Sequence, residues 1–307
     1  MKRLTLFSVC LLAIGCSDDG ATGGEPDGNP AVGCPSTQDP ANPGFFCPPQ
    51  IAHAWNENGG VFEDLGPANF TCLGAPSTDA PSNVDINMTG QVRDFQEGNP
   101  VPDATVEVFA NIDIGAPLAT ATADGNGDYA LVIPAGQVRV GFKVAAPDYV
   151  DTYLINQYYD PDTLDQDENV DAVSDTTADL LPALIGLLRT DGLGIVAAAF
   201  RDCDNNTVSH VVATVSATSG AADHLPGGQS YYFDDGLPTN HVIRQTTNSD
   251  GLFVVLELPE APTAYLQLWG FVDGQDPSTD DMTLLSEMAA PVIGNTVITA
   301  SAEPLRE

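Results

Sequence analysis

The chain is short of basic residues: nine Lys and Arg stand against 43 Asp and Glu, a formal net charge of −34. That balance excludes nucleic acid as a partner, because binding it takes cations that neutralise phosphates. It also excludes an electrostatic grip on anionic lipid headgroups. Histidine is scarce too, and none of His53, His210, His224 and His241 sits in a His-Glu-x-x-His zinc pattern. The sequence has no Gly-x-Ser-x-Gly elbow and no phosphate-cradling glycine loop. Carboxylates are so abundant that acid–base pairs arise by chance, so a hydrolase ranks third among the functional readings. A mature membrane-spanning helix is absent, since the apolar run of residues 180–188 is short and broken by Pro182.

What is present begins with an export signal. Lys2 and Arg3 precede an apolar stretch at residues 4–14, and small residues lead to Gly15-Cys16. This layout resembles a bacterial lipoprotein signal peptide covering residues 1–15. The resemblance implies an acyl chain on Cys16, a lipid bilayer as partner, and the outer membrane of a Gram-negative envelope as location; ordinary secretion is the alternative. Four further cysteines, Cys34, Cys47, Cys72 and Cys203, form an even set in an exported chain, which favours two disulfides over zinc. Three pairings are open. If all four pair, at least one bridge ties the N-terminal region to the second half.

Residues 16–42 are rich in Asp, Gly, Pro and Asn, with almost no large apolar side chain, and read as a flexible tether. Residues 43–80 carry Phe45, Phe46, Trp55, Phe62 and Phe70 among cysteines, and read as a small irregular region whose aromatics pack together. From residue 84 the pattern turns to period two. Val84, Ile86 and Met88 alternate with polar residues, as do Ala104, Val106 and Val108, then Tyr129, Leu131 and Ile133. Before that last strand, Asp124, Gly125, Asn126 and Gly127 supply a tight acidic turn. Residues 84–150 thus predict an antiparallel β-sandwich, and residues 151–191 an acidic linker with a short apolar segment. Residues 192–303 repeat the pattern, with Asn248-Ser-Asp-Gly251 answering the first turn, and predict a second sandwich. The expected fold class is all-β.

The repeated motifs, Gly90-Gln-Val-Arg-Asp94, Pro102-Asp-Ala-Thr-Val-Glu-Val108, Thr122-Ala-Asp-Gly-Asn-Gly-Asp-Tyr129 and Pro134-Ala-Gly136, resemble the carboxypeptidase regulatory-like domain. The second copy is similar through Phe200-Arg-Asp202, Val211-Val-Ala-Thr-Val215 and Thr247-Asn-Ser-Asp-Gly-Leu-Phe253, and departs at Ala198 and Glu260-Ala261. The resemblance implies a transthyretin-like, Ig-like sandwich serving as an accessory or structural module. It carries no catalytic residues.

Two sites suggest themselves. Tyr231, Tyr232, Asp234 and Asp235 lie in a long excursion of the second module, where rings beside acids would stack on a sugar or clasp a peptide. Trp269, alternating with Tyr265 and Phe271, reads instead as core. Asp160, Asp162, Asp165 and Asp167 are hard oxygen donors of the kind Ca²⁺ prefers, although the central glycine and closing glutamate of a helix–loop–helix site are missing. A solvated acidic loop is the plainer reading. The leading expectation is a non-catalytic, lipid-anchored envelope protein without a cofactor. A carbohydrate- or peptide-binding protein, meeting an envelope glycan or protein and calcium-assisted, is the alternative.

Overall fold

Strict alternation of Tyr129, Leu131 and Ile133 with Asp128, Ala130 and Val132 sends successive side chains to opposite faces. In the computed structural model the first three are buried and the other three exposed. The structure describes residues 31–35, 39, 42–234 and 236–306. The expected signal peptide, Cys16 and Asp235 lie outside the described residues.

In chain order the strands open with β1 (Ala31–Val32), β2 (His53–Asn58), β3 (Val61–Pro67), β4 (Ile86–Asp94) and β5 (Thr105–Ala110). Next come β6 (Ala119–Thr122), β7 (Asp128–Ile133), β8 (Val140–Ala145), β9 (Tyr149–Val150) and β10 (Thr152–Gln157). Then follow β11 (Asp165–Asp167), β12 (Val170–Ser174), helix α1 (Asp175–Leu184), β13 (Gly194–Phe200), β14 (Thr207–Ser209) and β15 (Val212–Ser216). The last are β16 (Gln229–Asp234), β17 (Leu237–Thr239), β18 (Leu252–Leu258), β19 (Ala261–Gly270), β20 (Met282–Val292) and β21 (Val297–Ala302). The protein is nearly all β, as expected.

One compact unit comprises residues 78–196 and 293–301. Strands β7, β4, β11, β12 and β9 make one layer, and β21, β10, β8, β5 and β6 the other. Ile86, Met88, Val92, Leu131 and Ile133 of the first layer share a core with Val106, Val108, Phe142 and Val144 of the second. Most pairs are antiparallel, but β11 and β12 run parallel to β4, and β21 parallel to β10. Parallel neighbours need long connections rather than hairpins, and the chain supplies them here.

The acidic linker expected at residues 151–191 is corrected by this arrangement, because it contributes β10, β11, β12 and α1 to the first unit. Residues 293–301, expected in the second sandwich, pair with β10 instead. Gly90 explains the fit of the acidic run: a Cβ there would lie 1.7 Å from the Glu168 carbonyl oxygen, so only glycine lets the segment close on β4.

The other unit comprises the described residues up to 77 with 197–292 and 302–306. Its layers are β17, β16, β18 and β13 against β1, β20, β19 and β15. Trp269, Tyr232, Phe200, Phe253, Phe271 and Leu268 are among its fully buried side chains. A third sheet, β14-β2-β3, is added from the N-terminal side. Residues 43–80 are therefore no separate irregular region. Their β2–β3 hairpin turns through Gly59 and Gly60, whose φ values of 63° and 83° suit a tight two-residue loop. β2 then pairs with β14, and Ala52 donates its N–H to the Phe271 carbonyl at 2.8 Å. The tether expected at residues 16–42 is also shortened, since Ala31 and Val32 pair with Thr283 and Met282.

Both sandwiches build a turn of like outline, in which Gly127 and Gly251 donate their N–H groups to the Asp124 and Asn248 carbonyls at 2.9 Å, though the carboxylate sits at different places in the two. Asp124 Oδ1 accepts the N–H groups of Asn126 and Asp128 at 2.8 and 3.0 Å, and the Gly127 carbonyl accepts from Val92 N–H at 2.8 Å. In the second copy Asp250 Oδ1 accepts from Leu252 N–H at 2.9 Å, and the Gly251 carbonyl accepts from Phe200 N–H at 3.0 Å. The strand-end aspartates match as well. Asp94 Oδ1 accepts from the N–H groups of Gln96 and Glu97, and Asp202 Oδ1 from those of Asp204 and Asn206.

Candidate functional site

The aromatic platform expected at Tyr231 and Tyr232 is not formed. Tyr232 is 0% exposed, and its hydroxyl donates to the Gly44 carbonyl at 2.8 Å while accepting Ala213 N–H at 3.1 Å. Tyr231 points to the other face of β16 but is only 7% exposed, because His241 stacks on its ring at 4.5 Å and Phe46 meets His241 edge-on at 5.0 Å. The chain before β2 closes this layer. Gly44 lies so near β16 that a Cβ would come within 2.0 Å of the Ser230 carbonyl oxygen. Asp234 ends β16 half-exposed and is engaged: Arg244 donates to it and Asn248 Nδ2 lies at 3.5 Å.

Around these residues the structure gathers titratable groups that sequence reasoning did not unite. His53 Nδ1 lies 3.2 Å from Asp64 Oδ1, and its ring meets that of His210 edge-on at 5.7 Å. Ser209 Oγ is 3.2 Å from His210 Nδ1 and accepts from Trp55 Nε1 at 2.9 Å. Burial, with His53 and Arg244 nearby, lowers His210 to about 4, so it is a neutral imidazole at neutral pH. Burial raises Asp250 to about 6. Ser209 and His210 have a nucleophile–base spacing, yet Ser209 is buried and its oxygen is held by the indole. Asp64 orients the other histidine. The cluster therefore fastens β2 and β3 to β14.

The calcium candidates are likewise used locally. Asp160 Oδ1 accepts from Asp162 N–H at 3.0 Å, Asp162 from Asn83 at 2.8 Å, and Asp165 from Asn87 at 2.9 Å. Asp165 and Asp167 lie two apart on β11 and face the same way. Among the described residues no three His, Cys, Asp or Glu side chains converge to hold a metal ion, so the proposed set of four is not assembled. Extended backbone holds Asp165 and Asp167 on β11, while Asp160 and Asp162 sit in the turn before it and are spent on local hydrogen bonds. Glu168 is turned inward, its carboxylate accepting from the Tyr159 hydroxyl at 2.9 Å while burial raises its pKa.

The cysteines resolve into Cys34–Cys47 and Cys72–Cys203, of which the second ties the N-terminal region to β13's end as the even count required. Asn69 reinforces that tie, its N–H donating to Asp202 Oδ2 at 3.1 Å.

No protein-family model matches the chain, and no curated protein matches it. Among solved structures the chain is similar to a shaft pilin from Lactobacillus rhamnosus GG, with 9% identity over 74% of this chain and 98% of that one and a TM-score of 0.22. It is similar to hydroxyquinol 1,2-dioxygenase from Pseudomonas putida DLL-E4, with 17% identity over 39% of this chain and 67% of that one and a TM-score of 0.23. It is also similar to a 9R-lipoxygenase from Cyanothece PCC8801, with 18% identity, 32% of this chain covered and a TM-score of 0.22. The chain spans 17% of that lipoxygenase's length. Likenesses at these scores carry no argument about activity.

Proposed function

We propose that the protein is a non-catalytic accessory component of a bacterial cell envelope, held to the outer membrane by an acyl chain on Cys16. Its two sandwiches are two copies of a carboxypeptidase regulatory-like module. The observation that carries this reading is how the polar side chains are used. Asp94, Asp124, Asp202 and Asp250 accept backbone N–H groups at turns, and Asp64 and Asp234 hold His53 and an arginine. Catalysis instead needs such groups aimed together at a cavity. Two disulfides agree with an oxidising compartment. Sugar stacking by Tyr231 and Tyr232 is not part of the proposal, since both rings are buried.

The test is metabolic labelling of the full chain in a Gram-negative host with an alkyne palmitate. Label on the chain and recovery in the membrane fraction are expected, and Cys16→Ser should lose both. An unlabelled chain secreted into the medium would replace anchorage by ordinary export.

A further inference from the structure

Within the apolar run at residues 180–188, Leu180, Leu184 and Leu188 face water, while Pro182 is buried and Leu181, Ile185 and Leu187 are half-buried. Helix α1 opens on Ser174, whose Oγ accepts Thr177 N–H at 3.2 Å, and it seats Thr177, Ala178 and Pro182 inward. Leu180 and Leu184, one turn apart and so on one helix face, are 41% and 49% exposed; Leu188 in the loop beyond is 84% exposed. A surface helix ordinarily buries its leucines and shows small or polar residues to solvent. Here that preference is reversed.

The same helix and loop supply Asp175, Asp179, Arg189 and Asp191 to the wall of a cleft of about 630 Å³, completed by Tyr149, Asp151 and the turn before β21. Four carboxylates line it. Its one cation is committed, since Arg189 pairs with Asp179 at 3.5 Å and reaches the Asn295 carbonyl at 3.4 Å. Asp151 also holds Lys143, at 2.8 Å.

We propose that the leucine face of α1 and the adjoining acidic cleft form a docking surface for a basic, amphipathic segment of a partner protein. Apolar side chains of that segment cover Leu180, Leu184 and Leu188, and its Lys or Arg residues enter the cleft. Long basic side chains suit both demands, because their stems cover apolar surface while their heads reach carboxylates. Charge selects this occupant. A second copy of the chain has nine basic residues against 43 acidic ones, and a two-fold contact would set the same acids against each other. An anionic bilayer repels the same carboxylates. Exposed leucines rimmed by charge are the usual mark of an interaction site. The inference rests on the chain being a binding scaffold and is independent of its anchorage, so the palmitate result leaves it unaffected.

The experiment measures binding of the full-length chain to a 14-residue helical peptide of Lys and Leu. The same peptide with Glu for Lys, vesicles of phosphatidylcholine with and without phosphatidylglycerol, and sedimentation equilibrium of the chain alone complete the set. Saturable binding of the Lys peptide is expected, weakened at least tenfold by Leu180→Ser with Leu184→Ser, by Leu188→Ser, and by Asp179→Asn with Asp191→Asn. The Glu peptide should not bind. Leu188 lies outside the helix and is exposed, so its substitution keeps the test informative if the helix variant loses structure. Peptide binding that survives every leucine substitution would be general attraction to an acidic surface and would overturn the proposal. Leucine-dependent binding to vesicles, or leucine-dependent self-association of the chain alone, would overturn it too.

Discussion

Gly127 and Gly251 occupy equivalent places in two separate sandwiches. Their φ values are 78° and 67°, and a Cβ on either would lie 2.7 Å from a carbonyl oxygen, that of Val92 or of Phe200. Each turn folds back onto the strand that opens its module, at a distance that admits no side chain. This coincidence of conformation and crowding is a local structural parallel between the two sandwiches.

Alanine at either glycine should therefore cost about 1–3 kcal/mol, from strained backbone and the close carbonyl together. Gly125, with nothing within 4 Å and no positive φ, should tolerate alanine with little change. Thermal unfolding of the three variants distinguishes them. Equal midpoints would mean that the turns relax without penalty.

The two disulfides should contribute unequally. Cys72–Cys203 closes a loop with a sequence separation of 131 residues and Cys34–Cys47 one of 13. In the chain-entropy account, removing the first costs roughly 5 kcal/mol and removing the second roughly 3 kcal/mol. Denaturant titration of the Cys72→Ala/Cys203→Ala and Cys34→Ala/Cys47→Ala pairs checks the order, which strain or residual structure in the unfolded chain would reverse.

Tyr232 is a structural strut. Tyr232→Phe removes the acceptor of Ala213 N–H and the donor to Gly44 in one step, leaving both groups buried, for a loss of about 1–3 kcal/mol. Tyr232→Ala adds a cavity and should cost about 3–5 kcal/mol. Val242→Ser, on a fully open loop position, should leave the unfolding midpoint unchanged.

Acid should loosen the unit that holds the histidines. Burial lowers His210 and His224 to about 4, below their ordinary value of 6.5. The unfolded chain then binds more protons, so this stabilisation is complete above pH 6.5 and is lost as pH falls towards 4. Asp171 and Asp250, raised by burial to about 6, act in the opposite sense: their contribution is complete below the ordinary aspartate range and is lost as pH rises through 6. The opposition masks each in the intact chain. His224→Gln should therefore gain about 1–3 kcal/mol on the wild type between pH 7.5 and pH 4.5, read by urea unfolding at the two values. A difference that does not change with pH would show that His224 titrates normally.

Much of this architecture was legible in residue order. The alternation at Tyr129, Leu131 and Ile133, the paired acidic turns and the core position of Trp269 are local in origin. They depend on strand pleat and turn chemistry, which short segments carry by themselves. The candidate site was legible only in part. Tyr231 and Tyr232 were both expected exposed on a loop, but they lie on opposite faces of β16, where the core takes Tyr232 and His241 and Phe46 cover Tyr231. The acids at 160–167 were read as a loop, which holds for Asp160 and Asp162; charge hid the strand at Asp165–Asp167, which forms because β4 offers it an edge.

Residue order alone was enough for the all-β class, for the two glycine turns and for an even cysteine set that pairs. Each is a property of composition or of neighbours a few residues apart. Long-range packing settled which cysteines join, that residues 151–191 and 293–301 complete the first sandwich, and that Leu180, Leu184 and Leu188 stay in water. Those outcomes depend on which surfaces meet, and contacts between residues far apart in the chain leave no periodic trace in it.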